Sequence, residues 1–218
     1  FIFDTVDLHY LREQRLAELE DSSTLRQVAK QTRRSELSVI RDADATLVVS
    51  PVEREVLAKD SPGAEVFILS NIHHVRGAGP GFAERKDLYF VGGYQHPPNI
   101  DAVQWFCADI WPLVREQLPE ARFHIVGSKA PEEIRELGAT LRDQGVVFHG
   151  FVEALDPFLE GCRLSVAPLR YGAGVKGKVN QAMSHGQPVV ATSIAVEGLH
   201  ARDGQDGNPI PSPDGSLI

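Results

Sequence analysis

The chain has 218 residues, of which 42% are hydrophobic and 24% charged, as in globular proteins with one large or two small domains. Its formal net charge of −8 argues against nucleic-acid binding, which needs a basic surface. No apolar run approaches the roughly 20 residues of a membrane-spanning helix. We expect a cytoplasmic protein. Cys107 and Cys162 have no recognised spacing, and we expect them to be reduced, mostly buried thiols.

Strands and helices are predicted to alternate in the first 76 residues. The predicted elements are a strand over 1–6, one or two helices over 10–43, a strand over 45–50, a helix from residue 51 and a strand over 65–71. Ser50 is expected to be the N-cap of the helix that starts at Pro51, with Glu53 at its third position. This alternation is typical of a parallel sheet covered by helices.

Residues 77–86 form the predicted linker, because this part of the chain is rich in glycine and proline. Beyond it the alternation restarts, with strands over 88–93, 122–127, 146–152, 164–168 and 188–192 and helices over 100–117, 131–138 and 155–160. The first of these helices is expected to be capped by Pro97, Pro98 and Asn99.

The glycine-rich turns all follow predicted strands, and they are Gly92-Gly93, Gly127, Gly150 and Gly172-Gly174. In a doubly wound α/β sheet they gather at the carboxyl edge, where ligands bind. The last of these turns leads into a predicted helix, and on a helical wheel Gly174, Lys178 and Gln181 fall in one line. Free N–H groups, a cation and an amide side chain on one side suit a phosphate and a sugar hydroxyl.

The segment from Pro168 to Leu199 resembles the donor-binding loop and helix of retaining GT-B glycosyltransferases of group 1, family 4 type. The shared pattern is a Gly-Ala-Gly-Val-Lys-Gly-Lys run, Ala-Met on the helix, Gly-x-Pro-Val-Val-Ala-Thr on the strand and Glu-Gly-Leu after it. Many members transfer sugars in lipopolysaccharide or exopolysaccharide synthesis. The resemblance implies an α/β fold of GT-B type, present as a fragment: a Rossmann-like nucleotide-sugar domain over 87–218, truncated at its C-terminus, and over 1–76 the C-terminal part of an acceptor-side Rossmann-like domain.

The resemblance also implies an enzyme that moves a sugar, with retention, from a nucleotide-sugar to an unknown glycan, lipid or protein acceptor in cell-surface glycan biosynthesis. It implies catalytic roles for His9, which would hold the acceptor or the transferred sugar, and for Lys178, which would neutralise the diphosphate. The expected donor-binding residues are Gly92, Gly93, Phe151, Val152, Gly172, Gly174, Val175, Lys176, Lys178, Gln181 and Glu197. We expect no metal or cofactor, because N–H groups and lysine would stabilise the diphosphate. Peripheral association of the full-length protein with the inner face of a membrane is compatible with this function.

Departures from the family pattern leave an alternative open. Ala173 and Gln181 stand where relatives carry the two glutamates of a Glu-x7-Glu pair, the second of which holds the ribose. The loop over 94–99 lacks the fixed cations of many relatives and offers only His96. The alternative is therefore a catalytically impaired nucleotide-sugar-binding module of the same fold. A nucleotide-sugar epimerase is a third candidate, although the extra carboxylates that it needs are not evident. Glu197 could also cap a helix.

Overall fold

The computed structural model describes residues 1–77, 79–199 and 208–209. The described chain forms two compact units. Residues 1–72, 171–176 and 194–199 belong to the first unit, and the remaining described residues belong to the second. No helix in these described ranges is long and apolar enough to cross a membrane. The boundaries predicted at 76 and 87 stay a prediction.

The first unit contains a parallel three-stranded sheet with helices on it. Its described elements are β1 (Ile2–Asp4), α1 (His9–Leu19), α2 (Ser23–Asp42), β2 (Ala45–Val48), α3 (Pro51–Asp60) and β3 (Val66–Ile68). The strand order is β1-β2-β3, with every pair parallel. The core is the apolar cluster Leu8, Tyr10, Leu37, Ile40, Val48 and Leu57. The predicted alternation of strands and helices is confirmed, and the long 10–43 segment forms two helices.

The start of α3 is confirmed, and Glu53 has a further role there. Ser50 is the N-cap and its hydroxyl accepts a hydrogen bond from the Glu53 N–H at 3.2 Å, as predicted. The Glu53 carboxylate, however, does not close a capping box. It accepts from the backbone N–H groups of Leu8 at 3.0 Å and Val49 at 3.2 Å, and so ties the loop after β1 to the loop after β2.

The second unit contains a larger parallel sheet. Its described elements are β4 (Lys86–Val91), α4 (Pro97–Trp105), α5 (Trp111–Gln117), β5 (Phe123–Val126), α6 (Glu132–Thr140), β6 (Val146–Gly150), α7 (Asp156–Gly161), β7 (Cys162–Ala167), α8 (Gly177–Ser184), β8 (Val189–Ala191) and β9 (Asn208–Pro209). A short helix, α9 (Ser193–Val196), follows β8, and its residues from Ile194 onwards belong to the first unit. The strand order is β6-β5-β4-β7-β8-β9, again all parallel. Both cysteines are buried free thiols, as expected.

The single helix predicted over 100–117 is wrong in two respects. The helix begins earlier, at Pro97, and a π-helical segment over Phe106–Ile110 separates α4 from α5. Pro112 explains the interruption, because proline has no N–H to donate and its ring clashes with the preceding turn of a regular helix.

The glycine turns of the second unit gather as predicted. The N–H of Gly92 donates to Val126 at 3.0 Å, and the N–H of Gly127 donates to the carbonyl of Gly150 at 2.8 Å. A Cβ atom at Gly127 would lie 1.8 Å from the Gly92 carbonyl oxygen, so only glycine allows this close approach. The turns after β4, β5 and β6 therefore meet at the carboxyl edge of one sheet.

Candidate functional site

The loop over Gly172–Lys176, here called the glycine loop, has its carbonyl groups held by two cations of the first unit. Arg15 Nη1 donates to the carbonyl of Gly172 at 2.6 Å. Lys176 Nζ donates to the carbonyls of Ala173 at 2.9 Å and Gly174 at 2.6 Å. Gly174 has φ +68°, and a Cβ there would lie 2.9 Å from the Asp7 Cβ, so this position requires glycine.

The N–H groups of the glycine loop differ from its carbonyl groups in their hydrogen bonding. Gly172, Ala173, Gly174 and Lys176 are buried, and Val175 is half-buried. Nevertheless, the N–H groups from Ala173 to Lys176 donate no hydrogen bond to any described residue. Backbone N–H groups in folded proteins are almost always paired with the protein or with water, so these N–H groups can bind an acceptor supplied by a ligand.

Lys176 points into the first unit. Its side chain is folded back beside Gly172, where a Cβ would lie 3.2 Å from Lys176 Cε, and the residue is only 9% exposed. Burial lowers the pKa of the amine to about 8, while the nearby carboxylates of Glu197, Glu53 and Asp7 act in the opposite direction. The lysine predicted to bind the donor therefore contacts the loop's own carbonyls, and a direct contact with the donor stays a prediction.

Glu197 lies just after α9 and forms a bidentate ion pair with Arg15. Its two carboxylate oxygens lie 3.0 and 2.6 Å from the guanidinium nitrogens, and both side chains are mostly buried. A Cβ at the following Gly198 (φ +78°) would lie 2.6 Å from the Ser50 Cβ. This close packing fixes the Glu197 segment, and with it the guanidinium that holds the glycine loop. Neither the predicted contact of Glu197 with a sugar nor its alternative role as a helix cap is tested.

His9 is the first residue of α1 and its side chain is half-exposed, at 51%. Its ring lies 3.4 Å from Glu36 and 3.7 Å from Asp7, which also pairs with Arg12 at 2.5 Å. The buried Glu36 carboxylate accepts the backbone N–H groups of His9 and Tyr10, at 3.1 and 3.0 Å. The α1 terminus is thus capped by a carboxylate from α2, which leaves the imidazole of His9 accessible.

Glu53 is a second buried carboxylate of the first unit. Burial raises its pKa, while its hydrogen bonds from Leu8 and Val49 act in the opposite direction. Its bond from the Leu8 N–H fixes the end of the loop that carries Asp7, directly before His9 at the start of α1.

In the second unit, Lys178 lies at the carboxyl edge of the sheet. Its ammonium donates to Asn99 Oδ1 at 2.6 Å and lies 4.0 Å from the centre of the Phe90 ring. The Asn99 amide in turn donates to the carbonyl of Gly93 at 2.8 Å. Asn99 is therefore not the helix cap that the sequence predicted, since it lies inside the first turn of α4 and connects Lys178 to the glycine pair after β4.

The other predicted donor-binding residues of the second unit lie on α8 or directly after β6. Gln181 is on α8, one turn after Lys178, and its side chain makes no hydrogen bond to a described residue. Gly174 precedes α8 and is therefore not on the same helix as Lys178 and Gln181. The predicted line of three residues on one helix is wrong for Gly174. Phe151 and Val152 follow β6, with Phe151 72% exposed. His96 is an exposed residue before α4. The described residues contain no cluster of three metal-ligating side chains.

The comparisons with known proteins agree with this fold. Residues 85–216, more than half of the chain, match the family described as glycosyl transferases group 1. A curated relative, an uncharacterized 44.6 kDa protein in the cps region of Klebsiella pneumoniae, is 27% identical over 124 residues, which are 55% of this chain and 32% of the relative.

Two solved structures illustrate the fold. Sucrose-phosphate synthase from Thermosynechococcus elongatus has a TM-score of 0.73 and 17% identity, covering 98% of this chain and 55% of that one. A mutant of S. aureus TarM, in complex with fondaparinux, alpha-GlcNAc-glycerol and UDP, has a TM-score of 0.70 and 18% identity, covering 84% of this chain and 37% of that one. The chain spans about a third of the curated relative and of TarM. It belongs to the group 1 glycosyl transferases, a family of enzymes, and has the parallel α/β fold of the GT-B type.

Proposed function

We propose that this protein transfers a sugar from a nucleotide-sugar donor to an acceptor, with retention, in the synthesis of a cell-surface glycan. Membership of the group 1 glycosyl transferases supports the transfer reaction. The relative in a cps region supports a role in polysaccharide biosynthesis, and the TarM structure that contains UDP makes UDP-sugars the first donors to test.

The unbonded N–H groups of the glycine loop are the observation that carries this proposal. A glycosyl transfer releases a nucleoside diphosphate, so negative charge develops on the phosphate oxygens as the sugar bond breaks. Fixed backbone N–H groups stabilise such charge without having to reorganise. The loop leaves several of these groups without an acceptor in the described chain.

Lys178, in the second unit, is assigned a further role in stabilising the phosphate charge. Its ammonium is directed by Asn99 towards the edge of the sheet where the turn after β4 lies. Lysine is a compact point charge and suits a phosphate group. Because N–H groups and lysine supply the positive potential, the proposed reaction needs no metal ion, and a chelator should leave its rate unchanged.

Calorimetric titration with UDP and several UDP-sugars tests the assignment. Lys178→Ala should weaken binding by about 1–3 kcal/mol, the range of a charge-assisted contact, or about 5- to 150-fold in Kd. Lys86→Ala is the matched control, because Lys86 lies at the amino end of β4, opposite to the edge that carries Gly92 and Gly93. If Lys178→Ala binds UDP as tightly as the unaltered protein, Lys178 is not a donor residue.

A nucleotide-sugar-binding module without transfer activity is the second candidate. It is supported by the buried methyl side chain of Ala173 and the uncharged amide of Gln181, where relatives carry carboxylates. Incubation of the protein with UDP-sugars and a pool of candidate acceptors decides between the two. Donor binding without a glycosylated product would favour the module, whereas a product with the donor's anomeric configuration by NMR would support retaining transfer. Sedimentation of the protein with lipid vesicles would test the peripheral membrane association.

A further inference from the structure

We propose that Arg15 and Lys176 are positioning residues that direct the N–H groups of the glycine loop towards the anionic group of the donor by holding the loop's carbonyl oxygens from the other side. The inference rests on the proposed function, because it assumes that those N–H groups bind the diphosphate. All of the groups involved lie in the first unit.

The geometry of the peptide bond determines where the N–H groups of the glycine loop point. In a planar trans peptide, the carbonyl of one residue and the N–H of the next point in opposite directions. Arg15 holds the carbonyl of Gly172, and Lys176 holds those of Ala173 and Gly174. The N–H groups of Ala173, Gly174 and Val175 therefore point away from the two cations, and these are N–H groups for which the described chain provides no acceptor.

The two cations also polarise the peptide groups of the glycine loop. A cation on the carbonyl side of a peptide draws electron density towards the oxygen and makes the N–H on the other side a stronger donor, an effect that is larger inside a protein than in water. Three consecutive peptides of the loop are arranged in this way. The two cations thus strengthen an anion-binding surface that they do not need to touch.

The Arg15 side chain is itself fixed in direction. The two oxygens of Glu197 hold its guanidinium in a bidentate pair, at 3.0 and 2.6 Å, while Nη1 also reaches Gly172. A planar fork can satisfy both partners at once, whereas an ammonium cannot do so with the same geometry. Arg15→Lys should therefore keep the charge but lose part of the orientation.

A purely structural role for these cations is the alternative. A neutral side chain could tie the loop to the first unit, yet Lys176 is only 9% exposed and faces charged groups from every side: Asp7 before α1, Arg15 on α1, Glu53 on α3 and Glu197 after α9. Burial lowers the pKa of its amine to about 8, so the charge is retained at neutral pH against the effect of burial.

The test compares UDP with uridine, which lacks the phosphates. We expect uridine to bind equally well to the unaltered protein, Arg15→Gln and Lys176→Met, while both variants bind UDP about tenfold more weakly, as for a weakened charge-assisted contact. Arg15→Lys should lie between. Arg33→Gln is the matched control, because Arg33 pairs with Asp60 at 2.8 Å in the same unit without contacting the loop.

Each outcome has a distinct meaning. If the variants lose UDP and uridine affinity equally, or lose neither, the positioning role is wrong. If the unaltered protein does not prefer UDP to uridine, the proposed function fails, whatever Arg15 does. Should Arg15→Gln not fold, as judged by circular dichroism, Glu197→Gln removes the anchor of the same guanidinium without removing Arg15. A preference for UDP unchanged in that variant would also overturn the proposal.

Discussion

Lys176→Met should change how the stability of this protein depends on pH. Burial lowers the pKa of the Lys176 amine from 10.5 to about 8 in the folded protein. Between these two values the unfolded chain binds more protons than the folded one, so stability rises with pH in this window. The cost of burying the charge is fully present below about pH 8 and disappears above about pH 10.5. Methionine keeps much of the side-chain volume and cannot titrate.

The magnitude follows from the two pKa values. Their difference of about 2.5 corresponds to about 3 kcal/mol of unfolding free energy that the buried charge costs at pH 7. At pH 9.5 most of the folded protein has a neutral amine, and the remaining cost is about 1 kcal/mol. The unaltered protein should therefore gain about 2 kcal/mol relative to Lys176→Met between pH 7 and pH 9.5.

Urea unfolding followed by circular dichroism measures this difference. Tryptophan fluorescence is a poor reporter, because Trp105 and Trp111 both lie in the second unit. Lys30→Met, which removes an exposed lysine of α2, controls for the loss of a lysine as such. A stability difference between Lys176→Met and the unaltered protein that stays constant from pH 7 to pH 9.5 would refute the description of Lys176 as a buried, titrating cation.

Three further predictions concern the same two units. The affinity for UDP should fall as the pH rises through about 8, because the Lys176 amine loses its charge, and titrations of Lys176→Met should lack this fall. Gly127→Ala should destabilise the protein by about 3 kcal/mol in urea unfolding, since a Cβ would lie 1.8 Å from the Gly92 oxygen. Gly93→Ala is its control, because its Cβ would meet no atom within 4 Å. Gln181→Glu should bind UDP about threefold to tenfold more tightly but 2′,3′-dideoxy-UDP no better, if residue 181 contacts the ribose through a charge-assisted hydrogen bond; equal gains for both ligands would place it elsewhere.

The fold was largely predictable because its signals are local. Buried parallel strands appear as short apolar runs, and residues such as Ser50 and Pro51 mark where a helix starts. The errors arose where a second local signal competed. Apolar spacing over 100–117 predicts one helix, but the missing N–H of Pro112 interrupts it. Asparagine is a residue type that often caps helices, yet the helix already starts at Pro97, before Asn99.

The arrangement of the candidate site was predictable only where its residues are close in sequence. The run from Gly172 to Lys178 identified the loop and the following helix. No pattern pointed to Arg15, because its partners Gly172 and Glu197 lie 157 and 182 residues away and a helix arginine is usually solvated. The direction of the Lys176 side chain was also hidden, since the helix begins only at Gly177 and helical spacing says nothing about the residues before it.

The features that lower stability are concentrated around the glycine loop. Val6, a β-branched residue, has φ +60°, and its carbonyl lies 3.3 Å from the Cβ position of Gly174. A left-handed valine and a buried ammonium each cost free energy, and they occur beside N–H groups that donate no hydrogen bond to a described residue. Within the first unit they all meet at the glycine loop. Such costs cluster at binding and active sites, so their coincidence favours a role in ligand binding over a purely structural role for this loop.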